Sequence, residues 1–223
     1  MAVDFWSIPR CWPGEAVAIL AGGPSLTVDQ IEMVRRSDAR CIAINRAYAL
    51  APWADWLWAC DCGRFWRHHT GPQRNRKWPD ACEFKGEKIG VLPAPEDRQP
   101  QEHAIWVAQR GVHIMRHAGT NHCKGVSDDP TVTRGNNSLY QALSVLHFTG
   151  AVRAILLGAD MHGARWHQGY DGGGNAQPNY GASVIPNFAH LPGPLAERGV
   201  EVVNCSPGSA LTVFPTADLK DAL

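Results

Sequence analysis

Three apolar runs of strand length open the chain, and each stops at a glycine or polar tip. Residues 16–21, AVAILA, end at Gly22 and Gly23; residues 41–45, CIAIN, end at Asn45; residues 54–61, ADWLWACD, end at Asp61. Runs this continuous suit strands buried on both faces of a parallel sheet, where neither side meets water. Between the first two runs, Thr27 and Gln30 have the T-x-x-Q spacing of a capping box, which predicts a helix from about Val28 to Arg36. Strand, glycine turn and capped helix make a βα unit.

Residues 63–135 break this rhythm. RFWRHHTGPQRNRKWPD and VLPAPEDRQPQ are basic or punctuated by proline and glycine, and only residues 88–92 and 112–115 have short strand character. The pattern predicts an irregular insertion or a region that covers substrate, since long loops in compact domains are commonly functional. Regularity returns in NNSLYQALSVLHF, where Leu139, Ala142, Leu143, Leu146 and His147 follow helical spacing and Gly150 supplies the stop. AVRAILLGAD reads as another buried strand, ending at Gly158 and Asp160, and VEVVN as one ending at Asn204. Between them, residues 170–180, YDGGGNAQPNY, have the composition of a mobile lid, and FAHLPGPLAERG reads as a short or broken helix. The whole of residues 1–223 therefore reads as a single Rossmann-like α/β domain: a mainly parallel sheet flanked by helices, with residues 63–135 as its insertion.

Composition narrows the function classes. Lys+Arg and Asp+Glu both number 21, so the formal charge is zero and no basic block tracks a nucleic-acid backbone. Arg64, Arg67, Arg74, Arg76 and Lys77 form the densest basic stretch, either a solvated loop or a counter-charge for an anionic acceptor. No apolar segment approaches the roughly 20 residues of a membrane span, and the N-terminus lacks the order of an export signal, so a cytoplasmic protein is expected. Seven cysteines, an odd number, fit reduced thiols. Cys60 and Cys62 form a C-x-C, but no second pair follows at finger-like spacing, which disfavours structural zinc. Trp53, Trp56, Trp58, Trp66 and Trp78 are concentrated in one stretch, either as core-filling rings or as a wall on which a base or sugar stacks.

Ligands of open α/β sheets bind outside the carboxyl ends of the strands, so the polar tips lie where chemistry would collect. Gly22 and Gly23, followed by Pro24 and Ser25, permit positive φ and close backbone approach, and the first free amides of the next helix point toward them. Such a turn can hold a diphosphate without any lysine. It is neither G-x-x-x-x-G-K-[ST] nor G-x-G-x-x-G, which argues against a P-loop ATPase and a typical NAD enzyme; a plain turn is the alternative. Asp160 would hold a ribose hydroxyl or Mg²⁺, with Asp61 as a second carboxylate, although both also serve as ordinary turn formers. His162 and His167 are candidates for a general base that removes a proton from an acceptor hydroxyl. Their i, i+5 spacing does not give the one-face pair of a helical metal site. His68 and His69 read as exposed partners of the basic stretch.

Taken as an ordered set, GGPSL at 22–26, NRAY at 45–48, GNNSLYQAL, LLGAD at 156–160 and VNCSPGSAL at 203–211 resemble a known group. This is the superfamily of the archaeal 6-hydroxymethylpterin diphosphokinase and its relatives, the family 42 sialyltransferases. The resemblance covers the first 61 residues and roughly residues 131–215. It implies a Rossmann-like sheet that binds a nucleotide by its phosphates. In the sialyltransferases the first turn reads G-N-G-P-S-L and contacts a CMP-sugar; here Ala21, Gly22 and Gly23 occupy the G-N-G, so the asparagine is absent. Asn45 matches the asparagine ending their second strand, with Tyr48 in the same N-x-x-Y spacing. Gly158 and Asp160 match a G-x-D that lies against the nucleotide, and His162 stands where they have tyrosine. Asn136, Asn137 and Ser138 match their serine-containing stretch.

The resemblance thus implies a transferase with a nucleotide or nucleotide-sugar donor. Glycosyl transfer, needing no cofactor, comes first, and Mg-dependent pyrophosphoryl transfer second. A non-catalytic nucleotide-binding module is the third reading. The chain also resembles phage and prophage proteins, which implies an accessory role in the cytoplasm of a bacterial host.

Overall fold

The computed structural model describes residues 3–60, 62–71, 74–92, 101–119, 124–162 and 180–223. Among these residues run eight strands: β1 (Ala16–Leu20), β2 (Arg40–Ile44), β3 (Trp56–Ala59), β4 (Glu87–Leu92), β5 (His113–His117), β6 (Val132–Thr133), β7 (Arg153–Leu157) and β8 (Glu201–Asn204). All pair in parallel in one sheet of order β6-β5-β4-β3-β2-β1-β7-β8. Its helices are α1 (Val28–Arg36), α2 (Arg67–His69), α3 (Gln101–Ala108), α4 (Ser138–Val145), α5 (Ile185–Phe188), α6 (Pro192–Glu197) and α7 (Leu219–Ala222). This is the Rossmann-like α/β architecture.

The apolar runs are continuous because both faces of the sheet are covered. Successive side chains alternate between faces. Val17 and Ile19 of β1, Ile42 and Ile44 of β2 and Leu156 of β7 join one core with Leu139 and Leu143 of α4. Their neighbours Ala18, Leu20, Cys41, Ala43 and Leu157 join the other, with Ile31 and Val34 of α1 and Ala104 and Val107 of α3. The predicted capping box is present: Thr27 Oγ1 accepts from the Gln30 amide at 3.2 Å, and Gln30 Oε1 accepts from the Thr27 amide at 3.0 Å.

Residues 63–135 differ from the irregular insertion expected of them. They supply β4, β5 and β6, which extend the sheet beyond β3. β4 and β5 fall on the two short runs of strand character at 88–92 and 112–115, whereas β6, two residues long, gives no pattern. Four of the five tryptophans of that stretch are core-filling, and Trp53 is half-buried. Trp56, Trp58, Trp66 and Trp78 are buried, Trp58 and Trp66 completely. Residues 188–199, read as a short or broken helix, hold the last residue of α5 and then the short α6. Among the described residues no helix is long and apolar enough to cross a membrane.

Candidate functional site

Strand order reverses between β1 and β7. Chain passage proceeds outward from β1 through β2 to β6 on one side and returns through β7 to β8 on the other. A reversal of this kind opens a crevice at the carboxyl ends of the two central strands. The turn of Gly22, Gly23, Pro24 and Ser25 follows β1 there, and Gly158 and Asp160 follow β7. One strand further out, Asn45 follows β2.

These two tips are locked together. The Gly23 amide donates to Gly158 O at 2.8 Å. Ser25 Oγ donates to Asp160 Oδ2 at 2.9 Å, and the Ser25 amide reaches both carboxylate oxygens at 3.3 and 3.4 Å. Asp160 is only 2 % exposed, so its carboxylate faces the turn rather than solvent. A Cβ on Gly23 would lie 1.9 Å from Asp160 Oδ2 and 2.5 Å from Gly158 O. Glycine is needed at 23 for that close approach, not for a left-handed backbone. Positive φ falls instead on Gly158, Asn45 and Met161, at 63°, 51° and 55°. For asparagine that conformation is mild; for methionine it is uncommon, and it stands beside Asp160.

The turn's own amides are therefore largely engaged. Gly23, Ser25, Leu26 and Thr27 donate to Gly158 O, Asp160, Gly23 O and Gln30 Oε1. Pro24 has no amide hydrogen. Among the described residues, the amides of Gly22, Val28 and Asp29 remain as donors for an anion, at the positive end of α1.

A third strand tip steadies the second. Ser206 Oγ accepts from the Ala159 amide at 2.8 Å, Ser209 Oγ donates to Ala159 O at 2.6 Å, and the Ala210 amide donates to Asp160 O at 2.8 Å. Asn204 Oδ1 in turn accepts from the Ser206 amide at 3.1 Å. The stretch VNCSPGSAL thus holds the backbone on either side of Asp160. The sequence singles out VNCSPGSAL only as a motif of the resemblance and gives its residues no individual role; their local signal is the Asn-x-Ser and Ser-x-Leu spacing of side-chain-stabilised turns.

Asn45, Asn137 and Ser138 form a neighbouring cluster. Ser138 Oγ lies 3.4 Å from Asn45 Oδ1, to which it donates, and accepts from the Cys60 amide at 3.2 Å. One serine at the head of α4 so ties the tips of β2 and β3. Asn137 is the N-cap of α4, its Oδ1 accepting from the Tyr140 amide at 3.0 Å. Tyr48 is turned away into the core: its hydroxyl donates to Pro79 O at 2.7 Å and so accepts from His69 Nδ1 at 3.0 Å. Burial pushes the Tyr48 phenol up. His69 is 1 % exposed, in contrast to the exposure expected of it, because Phe65 stacks on its ring at 4.3 Å; His68 is exposed as expected.

Of the two candidate bases, His162 is exposed and donates from Nε2 to Gly208 O at 2.8 Å, which leaves Nδ1 as its acceptor nitrogen. His167, Asp61 and residues 170–179 of the expected lid lie outside the described residues, as does the side chain of Arg64. In the basic stretch Arg67, Arg76 and Lys77 are exposed and Arg74 pairs with Asp80 at 3.7 Å, the arrangement of a solvated loop. Among the described residues no three His, Cys, Asp or Glu side chains gather around a common point. Asp160, with Ser25 Oγ beside it, is one carboxylate, which fits Mg²⁺ only where substrate phosphates complete the shell.

An open, shallow cleft of about 560 Å³ lies at the other edge of the sheet. Its lining includes Trp56, Glu87 and His113, the first residues of β3, β4 and β5. Fold logic for parallel α/β sheets favours the carboxyl edge for chemistry, and the two locations are distinct. No protein-family model, curated protein or solved structure matches the chain.

Proposed function

We propose that this chain is a transferase that takes a nucleotide-linked donor at the crevice between β1 and β7, with glycosyl transfer as its reaction. One observation carries the reading: the strand order reverses between β1 and β7, where the Gly22–Gly23 turn meets Gly158 and Asp160. The amides of Gly22, Val28 and Asp29 would receive the phosphates, and Asn45 with Ser138 would border the nucleoside. Asp160 acts by fixing Ser25 and the turn, and His162 Nδ1 is the acceptor for the proton of an incoming hydroxyl.

A second reading, Mg-dependent pyrophosphoryl transfer, is favoured by the carboxylate of Asp160 beside the turn. A diphosphate seated there would face a like charge, which a divalent cation held by Asp160 and the phosphates would offset.

Thermal shift with CMP, UDP, GDP, ADP, ATP and their sugars, each in Mg²⁺ and in EDTA, tests both. A bound nucleotide raises the transition by mass action, and Ser25→Ala should shrink that rise. A rise that persists in EDTA supports the glycosyltransferase reading, and one that needs Mg²⁺ supports the pyrophosphokinase. If no nucleotide moves the transition, both fail. Binding without turnover across the donors would leave a non-catalytic module.

A further inference from the structure

The cleft at the amino edge is unlike the polar rim opposite. Trp12 and Trp56, each 4 % exposed, pack at 4.2 Å between ring centroids and form its base. Trp6 and Trp53 are half-buried and carry indole surface out to solvent. Trp6 stacks on His113 at 4.5 Å and meets Trp56 edge-on at 5.6 Å, so its ring is held from two sides. A volume of about 560 Å³ falls in the range of small-molecule sites, roughly 300–1,000 Å³.

Its charged groups select among ligands. Asp55 is committed to Arg40 at 3.4 Å and to the Cys41 amide at 2.8 Å, and Glu87 to His113 at 2.7 Å. Lys85 lies on the rim and, among the described residues, has no ion-pair partner. With both carboxylates paired and one lysine on the rim, the lining offers a phosphate a single cation and offers a cation no free carboxylate, so neither charged class is favoured. What remains compatible is a neutral ligand with an apolar face and many hydroxyls. Its C–H face would lie on indole, while its hydroxyls would donate to Asp55 and Glu87 and accept from Lys85.

We propose that this cleft is a binding site for a neutral saccharide, on the edge of the sheet opposite the nucleotide crevice. It does not rest on the transferase reading, because no residue is shared between the two edges.

The test is calorimetric titration of the whole protein with maltotriose, with N,N′-diacetylchitobiose and with choline, alongside saturation-transfer NMR on each. One of the two saccharides should bind, with transfer to its ring C–H protons. Trp53→Ala should weaken that binding about ten-fold or more. Glu87→Gln, an exposed change that keeps the fold, should weaken it several-fold, while Ser25→Ala at the other edge should leave it unaltered. The proposal is overturned if neither saccharide binds, if choline binds in their place, or if saccharide binding survives both cleft substitutions.

Discussion

The two edges of the sheet use polar and aromatic residues in opposite ways. At the carboxyl edge Ser25, Asp160, Ser206, Ser209, Asn45 and Ser138 spend their hydrogen bonds chiefly on one another and on strand tips, closing the turns tightly. At the amino edge the polar groups stand around a base of tryptophan, and the space between them stays open. A polar strand tip is therefore not in itself a contact point. Where the backbone must be fixed closely, the same residues serve as braces, and the groups left for a ligand are few and mostly main-chain.

The sharpest way to break this comparison is at Gly23. Gly23→Ala should cost about 3 kcal/mol, since its methyl would meet Asp160 and a rigid carbonyl, whereas Gly22→Ala should be nearly neutral, with nothing within 4 Å of its Cβ. Urea midpoints of the two variants measure the difference. Equal midpoints would mean that Asp160 does not rest against the turn.

The far end of α4 gives the next effect. Burial, with the Arg198 guanidinium nearby, holds the His147 imidazole down at about 4. The unfolded chain, with an ordinary value near 6.5, then binds the proton more readily between those pH values. This contribution is complete above about pH 6.5 and lost as pH falls toward 4, roughly 2 kcal/mol over the window once the shift is discounted for solvent screening of this partly exposed ring. A pH series of thermal melts should show the loss, and His147→Gln should flatten it. A wild-type slope that the substitution leaves in place would assign the acid sensitivity elsewhere.

Asp160→Asn keeps the shape and one acceptor but removes the charge that strengthens the bonds from Ser25; about 1–2 kcal/mol should be lost. Unchanged stability would return Asp160 to the role of a direct ligand contact. Smallest is Thr27→Ala, which opens the capping box of α1 for about 1 kcal/mol. Hydrogen exchange at the amides of residues 27–30 should quicken in that variant before any change in the cleft residues.

Much of the frame was legible along the chain. β1, β2, β3, β7 and β8 each announce themselves as an apolar run ending at a punctuating residue, and α1 by its cap, because burial on two faces and helix capping are set by neighbouring residues. β4 and β5 showed only as short candidates. β6 was invisible, because two residues paired at an edge carry no period. At the candidate site the residue types were legible and their directions were not. Asp160 read as a ribose or Mg²⁺ ligand or as an ordinary turn former, and Tyr48 as a match to the N-x-x-Y of the resemblance; one is turned onto Ser25 and the other into the core.

What the sequence determined by itself is local: where strands begin and end, which residues cap α1, and which polar groups finish each strand. Tertiary structure alone decided that β7 lies beside β1, that Asp160 fills the first turn, and that the open cleft sits at the opposite edge. Those outcomes depend on pairings between residues more than 100 positions apart, such as Ser25 with Asp160. No local period encodes such a pairing; it is fixed by the free energy of closing and burying the whole sheet at once.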